Sequence, residues 1–229
     1  MIISHKHKFI FIKTRKTAGT SLEIALSSFC GENDIITPID SDDEKAREAS
    51  GGLGPRNFKL PFSKHTTKEK LGILFGGPRK AYFNHISAQE AKAFIGDNVW
   101  DSYYKFCFER NPFDKVLSQY YARGGDAQFG NVMGYLKSGE VARLRGYDMY
   151  SVRRNVAVDD VFKFEEMNEA LESISNKLNL NTLLEMPKYK AKGTRRTDKR
   201  HYSEVLTKEE KDLISIIFAR EIKLLGYEF

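Results

Sequence analysis

The sequence has little of what marks several protein classes. Its 229 residues hold two cysteines, six prolines and a single tryptophan. Cys30 and Cys107 stand far apart in apolar surroundings; two such thiols cannot build a disulfide framework and are expected as buried free thiols, which suits a reducing cytoplasm. No stretch reaches the ~18 uncharged apolar residues of a membrane-spanning helix. The opening Met1 to Lys8 runs directly into Phe9-Ile10-Phe11-Ile12, too short for the apolar core of a signal peptide and without a small-residue cleavage pattern. Internal repeats, low-complexity tracts and dense His/Cys/Asp/Glu clusters with metal-ligand spacing are all missing. So is Gly-x-x-x-x-Gly-Lys-[Ser/Thr], the phosphate loop of Mg²⁺-nucleotide enzymes. These absences exclude a secreted disulfide scaffold, a solenoid and a membrane span, and they disfavour an ordinary ATP or GTP site.

What remains is a globular balance of 41% hydrophobic and 30% charged residues, with a length that fits one large α/β domain over residues 1–229. The net charge of +6 favours an anionic partner. Its distribution says more: Lys188, Lys190, Lys192, Arg195, Arg196, Lys199 and Arg200 face one acid, Asp198, between Met186 and Arg200, whereas the balance reverses between Glu32 and Glu48. A nucleic-acid binder needs a broader basic field with interleaved aromatics, so the pattern predicts a local anion pocket and no nucleic-acid partner.

Phe9 to Lys13 reads as a short strand. After it, Leu22, Ala25, Leu26 and Phe29 recur with the spacing of one helix face, and Gly31 is a plausible stop. Residues 32–70 predict a long, weakly periodic excursion of the kind that forms lids or substrate walls. A second short strand is expected to end around Ala81–His85, followed by a helix capped by Ser87. Tyr103 to Glu109 predicts a buried strand, with Tyr103, Phe106 and Phe108 as core. Asn111-Pro112 is a helix start, continued by Phe113, Val116, Leu117 and Tyr120. Residues 124–155 look irregular, with a short helix near Val132–Leu136. Val161–Phe164 reads as a strand and Met167–Leu178 as a helix. Thr207 and Glu210 form a capping box opening one helix through Leu213, Ile214, Ile217, Phe218, Ile222 and Leu225. The alternation predicts a three-layer α/β/α fold around a mainly parallel sheet.

Two strand–helix junctions carry the chemistry. In the first, a helix N-terminus follows Lys16-Thr17-Ala18-Gly19-Thr20-Ser21. Free N–H groups and the positive end of the helix dipole suit a phosphate-like anion there. Gly19 permits close backbone approach, Thr17, Thr20 and Ser21 add hydroxyls, and Lys16 adds charge. In the second, Arg110 ends a strand beside Asn111-Pro112, with Ser118 two turns into the helix. Arg110 there suits bidentate contact with a phosphate; a structural salt bridge is the plainer alternative.

Together the two junctions resemble the 3′-phosphoadenosine-5′-phosphosulfate (PAPS)-dependent sulfotransferases, particularly the carbohydrate-type branch. Arg200-His201-Tyr202-Ser203 through Gly226-Tyr227-Glu228-Phe229, and Phe164-Glu165, resemble that family's later elements. Arg15 stands where many members carry Pro, and the membrane anchor of Golgi-resident relatives is missing. The resemblance implies a P-loop NTPase-like sulfotransferase fold and sulfuryl transfer to a hydroxyl, on a carbohydrate or glycan-like acceptor, by a cytoplasmic enzyme without a metal. It assigns Lys16, Thr17, Ala18, Gly19, Thr20 and Ser21 to the 5′-phosphosulfate, and Arg110 and Ser118 to the 3′-phosphate; Arg15, though it departs from the family pattern, is a cofactor-site candidate beside the loop. It also suggests that Lys192, Gly193, Arg195 and Arg196 lie in a loop closing over the nucleotide, although a charge run is equally a solvated loop. Lys16 would stabilise the leaving phosphate. His85, after a strand end and with a pKa ordinarily near 6.5, suits the role of base, and the resemblance puts a catalytic histidine on this segment. A packed or capping histidine is the alternative, with His65 as second candidate. Two other functions compete: a P-loop kinase using ATP, and a non-catalytic nucleic-acid or polyanion binder working through residues 186–200.

Overall fold

Phe9-Ile10-Phe11-Ile12 alternates aromatic and β-branched residues, and a strand sends alternate residues to opposite faces. Both faces are buried. Phe9 and Phe11 pack with Phe106, Phe108, Leu22, Leu26 and Ile174, whereas Ile10 and Ile12 pack with Ile3, Cys107, Trp100 and Tyr150. The structure, a computed structural model, describes residues 1–187, 196 and 198–229. Among these the strands are β1 (Ile2–Ser4), β2 (Phe9–Ile12), β3 (Ile35–Ile36), β4 (Tyr104–Glu109), β5 (Ser151–Val152), β6 (Asn155–Val156) and β7 (Asp160–Lys163). The helices are α1 (Gly19–Ser27), α2 (Ser41–Ala49), α3 (Thr67–Leu74), α4 (Ala88–Ile95), α5 (Asp97–Ser102), α6 (Pro112–Ala122), α7 (Asp126–Phe129), α8 (Val132–Lys137), α9 (Met167–Lys177), α10 (Tyr202–Val205), α11 (Lys208–Ile217) and α12 (Ala219–Leu225).

The central sheet has five strands in the order β3-β1-β2-β4-β7, with helices around it; β5 and β6 form a separate hairpin. Strand β4 runs parallel to both β2 and β7, in the registers Phe11↔Phe106 and Phe106↔Asp160. Strand β1 is antiparallel to β2 and β3. The sheet is therefore mixed, and the expectation of a mainly parallel one is corrected. The cause is the tight reversal between Ser4 and Phe9. The Asp34 carboxylate holds it, accepting from Ser4 Oγ at 2.7 Å and from the backbone N–H groups of His5, Lys6 and Gly31 at 2.7, 3.1 and 2.8 Å. Burial works to raise the Asp34 pKa, but these bonds outweigh it and hold the carboxyl below its usual range.

Three further expectations change. Ala81 makes only an isolated bridge to Lys59, outside the sheet, because the chain there closes a neck with residues 58–60 instead of adding a strand. The long excursion contains β3, α2 and α3; α2 escapes an apolar-periodicity search because its buried positions are Asp43 and Arg47. The last helix is two, broken at Phe218 (φ −109°, ψ 25°), whose ring is buried with Ile214, Phe113 and Tyr120. Both cysteines are buried and free. No helix among the described residues is long and apolar enough to cross a membrane.

Because β2, β4 and β7 run the same way, the segments after Ile12, Glu109 and Lys163 emerge along one edge of the sheet. In open α/β sheets this carboxyl edge is where ligands bind.

Candidate active site

At the end of β2, the Thr14 hydroxyl donates to the carbonyl of Phe108 on β4, pinning the loop to the neighbouring strand. The chain then enters the left-handed region twice, at Lys16 (φ 63°) and at Ala18 (φ 55°), each costing about 1–2 kcal/mol for an L-residue. That path starts α1 at Gly19 with Ala18 as its N-cap and no side-chain cap. The first N–H groups of α1 are thus not taken up by a capping side chain, and they stand at the positive end of the helix dipole. Gly19 has a second reason to be glycine. A Cβ there would lie 2.7 Å from Cγ of Lys13, whose stem crosses beneath it to place Nζ 2.5 Å from Glu23 Oε2 on α1. Both members of that pair are buried.

At the end of β4, Arg110 sends Nε and Nη2 to Asp114 Oδ2 at 2.9 and 2.5 Å. Its Nη1 lies 3.2 Å from the Lys16 carbonyl and 3.5 Å from Ser118 Oγ. The guanidinium carbon stands 4.5 Å from the centre of the Phe164 ring, a cation–π geometry. Arg196 donates to the other Asp114 oxygen. One carboxylate thus stands between two guanidiniums, leaving a net positive charge. The Arg110–Asp114 spacing of four is a helix ion-pair signal that would have brought Asp114 into the predicted site.

These junctions share a cavity of about 600 Å³. From the first it takes Arg15, Lys16, Ala18, Gly19, Thr20 and Ser21; from the second, Arg110 and Ser118; and from elsewhere His85 and Arg196. Thr17 is not among the lining residues: its hydroxyl lies 2.9 Å from Thr14 Oγ1, inside the fold. Lys192, Gly193 and Arg195 lie outside the described residues. Lys13, Thr14, Gln119, Arg123 and Phe164 also line the cavity and were not predicted, and Lys199 joins them from the basic run. Among the described residues, no group of three or more His, Cys, Asp or Glu could hold a metal ion.

His85 carries a left-handed backbone (φ 62°), and its Nδ1 lies 3.0 Å from the Lys13 carbonyl. A carbonyl only accepts, so Nδ1 bears the hydrogen and Nε2 is the acceptor of the ring. Burial, then the charges of Lys13 and Arg15, push its pKa down to about 3, so the ring is neutral at physiological pH. Three other histidines are committed elsewhere. His65 is buried, with Nδ1 3.0 Å from the Pro61 carbonyl and Nε2 accepting from the Lys80 N–H at 3.2 Å. Both nitrogens are used, which makes His65 structural and not a base. His201 caps α10 through Ser203, and His5 pairs with the Tyr103 hydroxyl at 2.8 Å.

No family model matches this chain. No solved structure matches it either. A protein of Archaeoglobus fulgidus, described as an "uncharacterized protein", is 32% identical over 91 residues, covering 38% of this chain and 76% of the archaeal one. With that identity over that share of its relative, the chain belongs to the same family as the archaeal protein.

Proposed function

We propose that this chain is a sulfotransferase with a P-loop-like sulfotransferase fold. In this reading it moves a sulfuryl group from PAPS to an acceptor hydroxyl on a carbohydrate or glycan-like molecule. One observation carries the proposal: two separate anion sites open into a single cavity of about 600 Å³, with a neutral histidine on its wall. A nucleotide with anionic groups on both sides of its ribose suits that pairing, and the volume falls within the range of ligand pockets. The donor chemistry fits as well. An uncapped helix N-terminus favours one anion, and two guanidiniums sharing a single carboxylate still favour another.

In this reading the α1 N–H groups, Thr20 and Ser21 hold the 5′ end, while Arg110, Ser118 and Arg196 hold the 3′-phosphate. Lys16 balances charge on the leaving phosphate oxygen as the S–O bond to it breaks and the new S–O bond to the acceptor forms. Nε2 of His85 takes the acceptor proton. An imidazole with a pKa near 3 is a weak base, and the best bases titrate near the working pH. The negative donor beside Lys13 and Arg15 offsets the two side-chain charges that add to burial in that depression and raises the pKa when bound.

The test is calorimetric binding of 3′,5′-ADP against ATP–Mg²⁺ and 5′-AMP. A ligand at 100 times its Kd stabilises a fold by about 2.7 kcal/mol. Selective, metal-independent stabilisation by 3′,5′-ADP is expected; preference for ATP–Mg²⁺ would overturn the proposal in favour of a kinase. With PAPS and an acceptor in hand, His85→Ala is expected to lower turnover by roughly 10²- to 10⁴-fold while nucleotide affinity holds. Equal loss of both would remove His85 from the role of base.

A further inference from the structure

Residues 61–79 form an arm on a closed neck. Leu60 N–H donates to the Lys80 carbonyl at 2.9 Å and Tyr82 N–H to the Phe58 carbonyl at 2.7 Å, with His65 stitching Pro61 to Lys80 inside it. Lys64 ties the arm to the end of α4 through the carbonyls of Phe94 and Ile95. The arm carries α3, and α3 buries none of its residues. Leu71, Leu74 and Phe75 share one side of it by their spacing, with 57%, 73% and 83% of their surface exposed. Phe62 and Phe83 are exposed beside them in sequence, so five of the ten exposed large hydrophobic residues among the described residues fall within residues 62–83. Scattered exposed apolar residues need no explanation; a concentration of this kind marks an interaction surface.

The charge on the same segment selects the partner. Between Lys59 and Phe83 stand Lys59, Lys64, Lys68, Lys70, Arg79 and Lys80 against one acid, Glu69, which is paired with Lys80. The acids just beyond α4, Asp97 and Asp101, are taken by Lys92. An isologous dimer through this face would set each cluster of cations against its own copy. A nucleic acid would satisfy the cations but leave Leu74 and Phe75 in water. An interface that is apolar within and anionic at its surface satisfies both. We infer that this arm is a docking surface for an anionic lipid bilayer, with Leu71, Leu74 and Phe75 entering the acyl boundary and the lysines meeting the headgroups. The inference does not rest on the sulfotransferase proposal.

The experiment is co-sedimentation of the full chain with phosphatidylcholine vesicles, with and without phosphatidylserine, at low and high salt. Binding is expected only with phosphatidylserine, and it should fall as salt rises. Leu74→Glu and Phe75→Glu should each weaken it on the order of tenfold, and Lys68→Gln roughly fivefold. Thermal unfolding should not change, because the altered side chains are exposed. Four results would overturn the inference. One is no binding to phosphatidylserine vesicles at low salt. Another is binding that survives Leu74→Glu and Phe75→Glu together. The third is self-association that Phe75→Glu abolishes, which would give the face to a second copy. RNA binding indifferent to Phe75→Glu, without vesicle binding, would likewise assign the cations to a generic polyanion.

Discussion

The junctions β2–α1 and β4–α6 occupy equivalent places on the sheet, yet one is closed and the other open. At β4–α6, Asn111 accepts from the Phe113 N–H at 3.1 Å, and Pro112 at the first helical position has no N–H to satisfy. The Asn111 amide donates to the Tyr202 hydroxyl and the Glu228 carbonyl, and its backbone N–H donates to Glu165. The protein itself consumes that helix start. At β2–α1 no side chain caps the helix. A buried Lys–Glu pair lies under each junction, both at 2.5 Å but with opposite polarity. The strand side supplies the cation at Lys13–Glu23 and the acid at Glu109–Lys115. Lys13 lines the cavity, whereas Glu109 is sealed where a Cβ on Gly146 would collide with its Oε2. The contrast teaches that strand–helix topology supplies two candidate anion sites. Capping and the orientation of one buried pair decide which of them presents its helix N-terminus.

The largest effect expected from breaking this contrast is at the closed junction. Glu109→Ala leaves Lys115 charged and alone in the core, which costs about 3–5 kcal/mol. Denaturant unfolding would read this. Glu109→Leu combined with Lys115→Met should recover most of the loss, because the native pair is imperfect. Glu109 Oε2 has no hydrogen-bond partner, and burial pushes the Glu109 carboxyl up despite Lys115. A cost below about 1 kcal/mol for Glu109→Ala, the scale of an exposed pair, would mean that the junction is not sealed.

A smaller, pH-dependent effect belongs to the open side. His85 titrates near 6.5 in an unfolded chain and near 3 in the fold. Between those values the unfolded state binds more protons. The contribution of His85 to stability is therefore whole above about pH 6.5 and is lost as the pH falls, at no more than about 1.4 kcal/mol per pH unit. Comparing urea unfolding of the wild type and His85→Gln at about pH 7.5 and about pH 5.5 isolates this slope from that of the carboxylates. The variant should lose less stability on acidification. Parallel losses would mean that His85 titrates normally and that neither burial nor the charges of Lys13 and Arg15 act on it.

The sequence discloses the open junction more readily than the closed one. Lys16 to Ser21 stand together because the candidate anion loop is local: hydroxyls, a glycine and a helix start in one short run. Arg110 and Ser118 were legible for the same reason. Lys13 was not, because a lysine at a strand end reads as solvated until Glu23, ten residues on, is known to lie beneath it. Asp114 was within reach of the four-residue spacing rule, but the Arg196 that shares it comes from a distant segment. The β1–β2 reversal depends on Asp34, some thirty residues from the turn it holds, so the mixed sheet could not be read from strand patterns. The single helix predicted over 207–225 kept its apolar period across Phe218 and hid the break.

The smallest effect tests whether the open junction is held open at a cost. Ala18 sits at φ 55°, ψ 23°, a conformation that penalises an L-residue by about 1–2 kcal/mol. Glycine there removes the penalty but adds about 0.5–1 kcal/mol of chain entropy to be lost on folding. Ala18→Gly should therefore stabilise the protein by about 0–1.5 kcal/mol in thermal unfolding. The side chain makes no cap, so this substitution changes backbone preference at the candidate anion loop without adding a donor or an acceptor. Nucleotide affinity should then stay within a few-fold of wild type, because the N–H groups of Gly19 and Thr20 keep their directions. A destabilised variant would mean that the loop does not hold its left-handed turn at Ala18. The α1 start would then be free to cap itself by another path, and the distinction between the open and the closed junction would fail at the residue on which it rests.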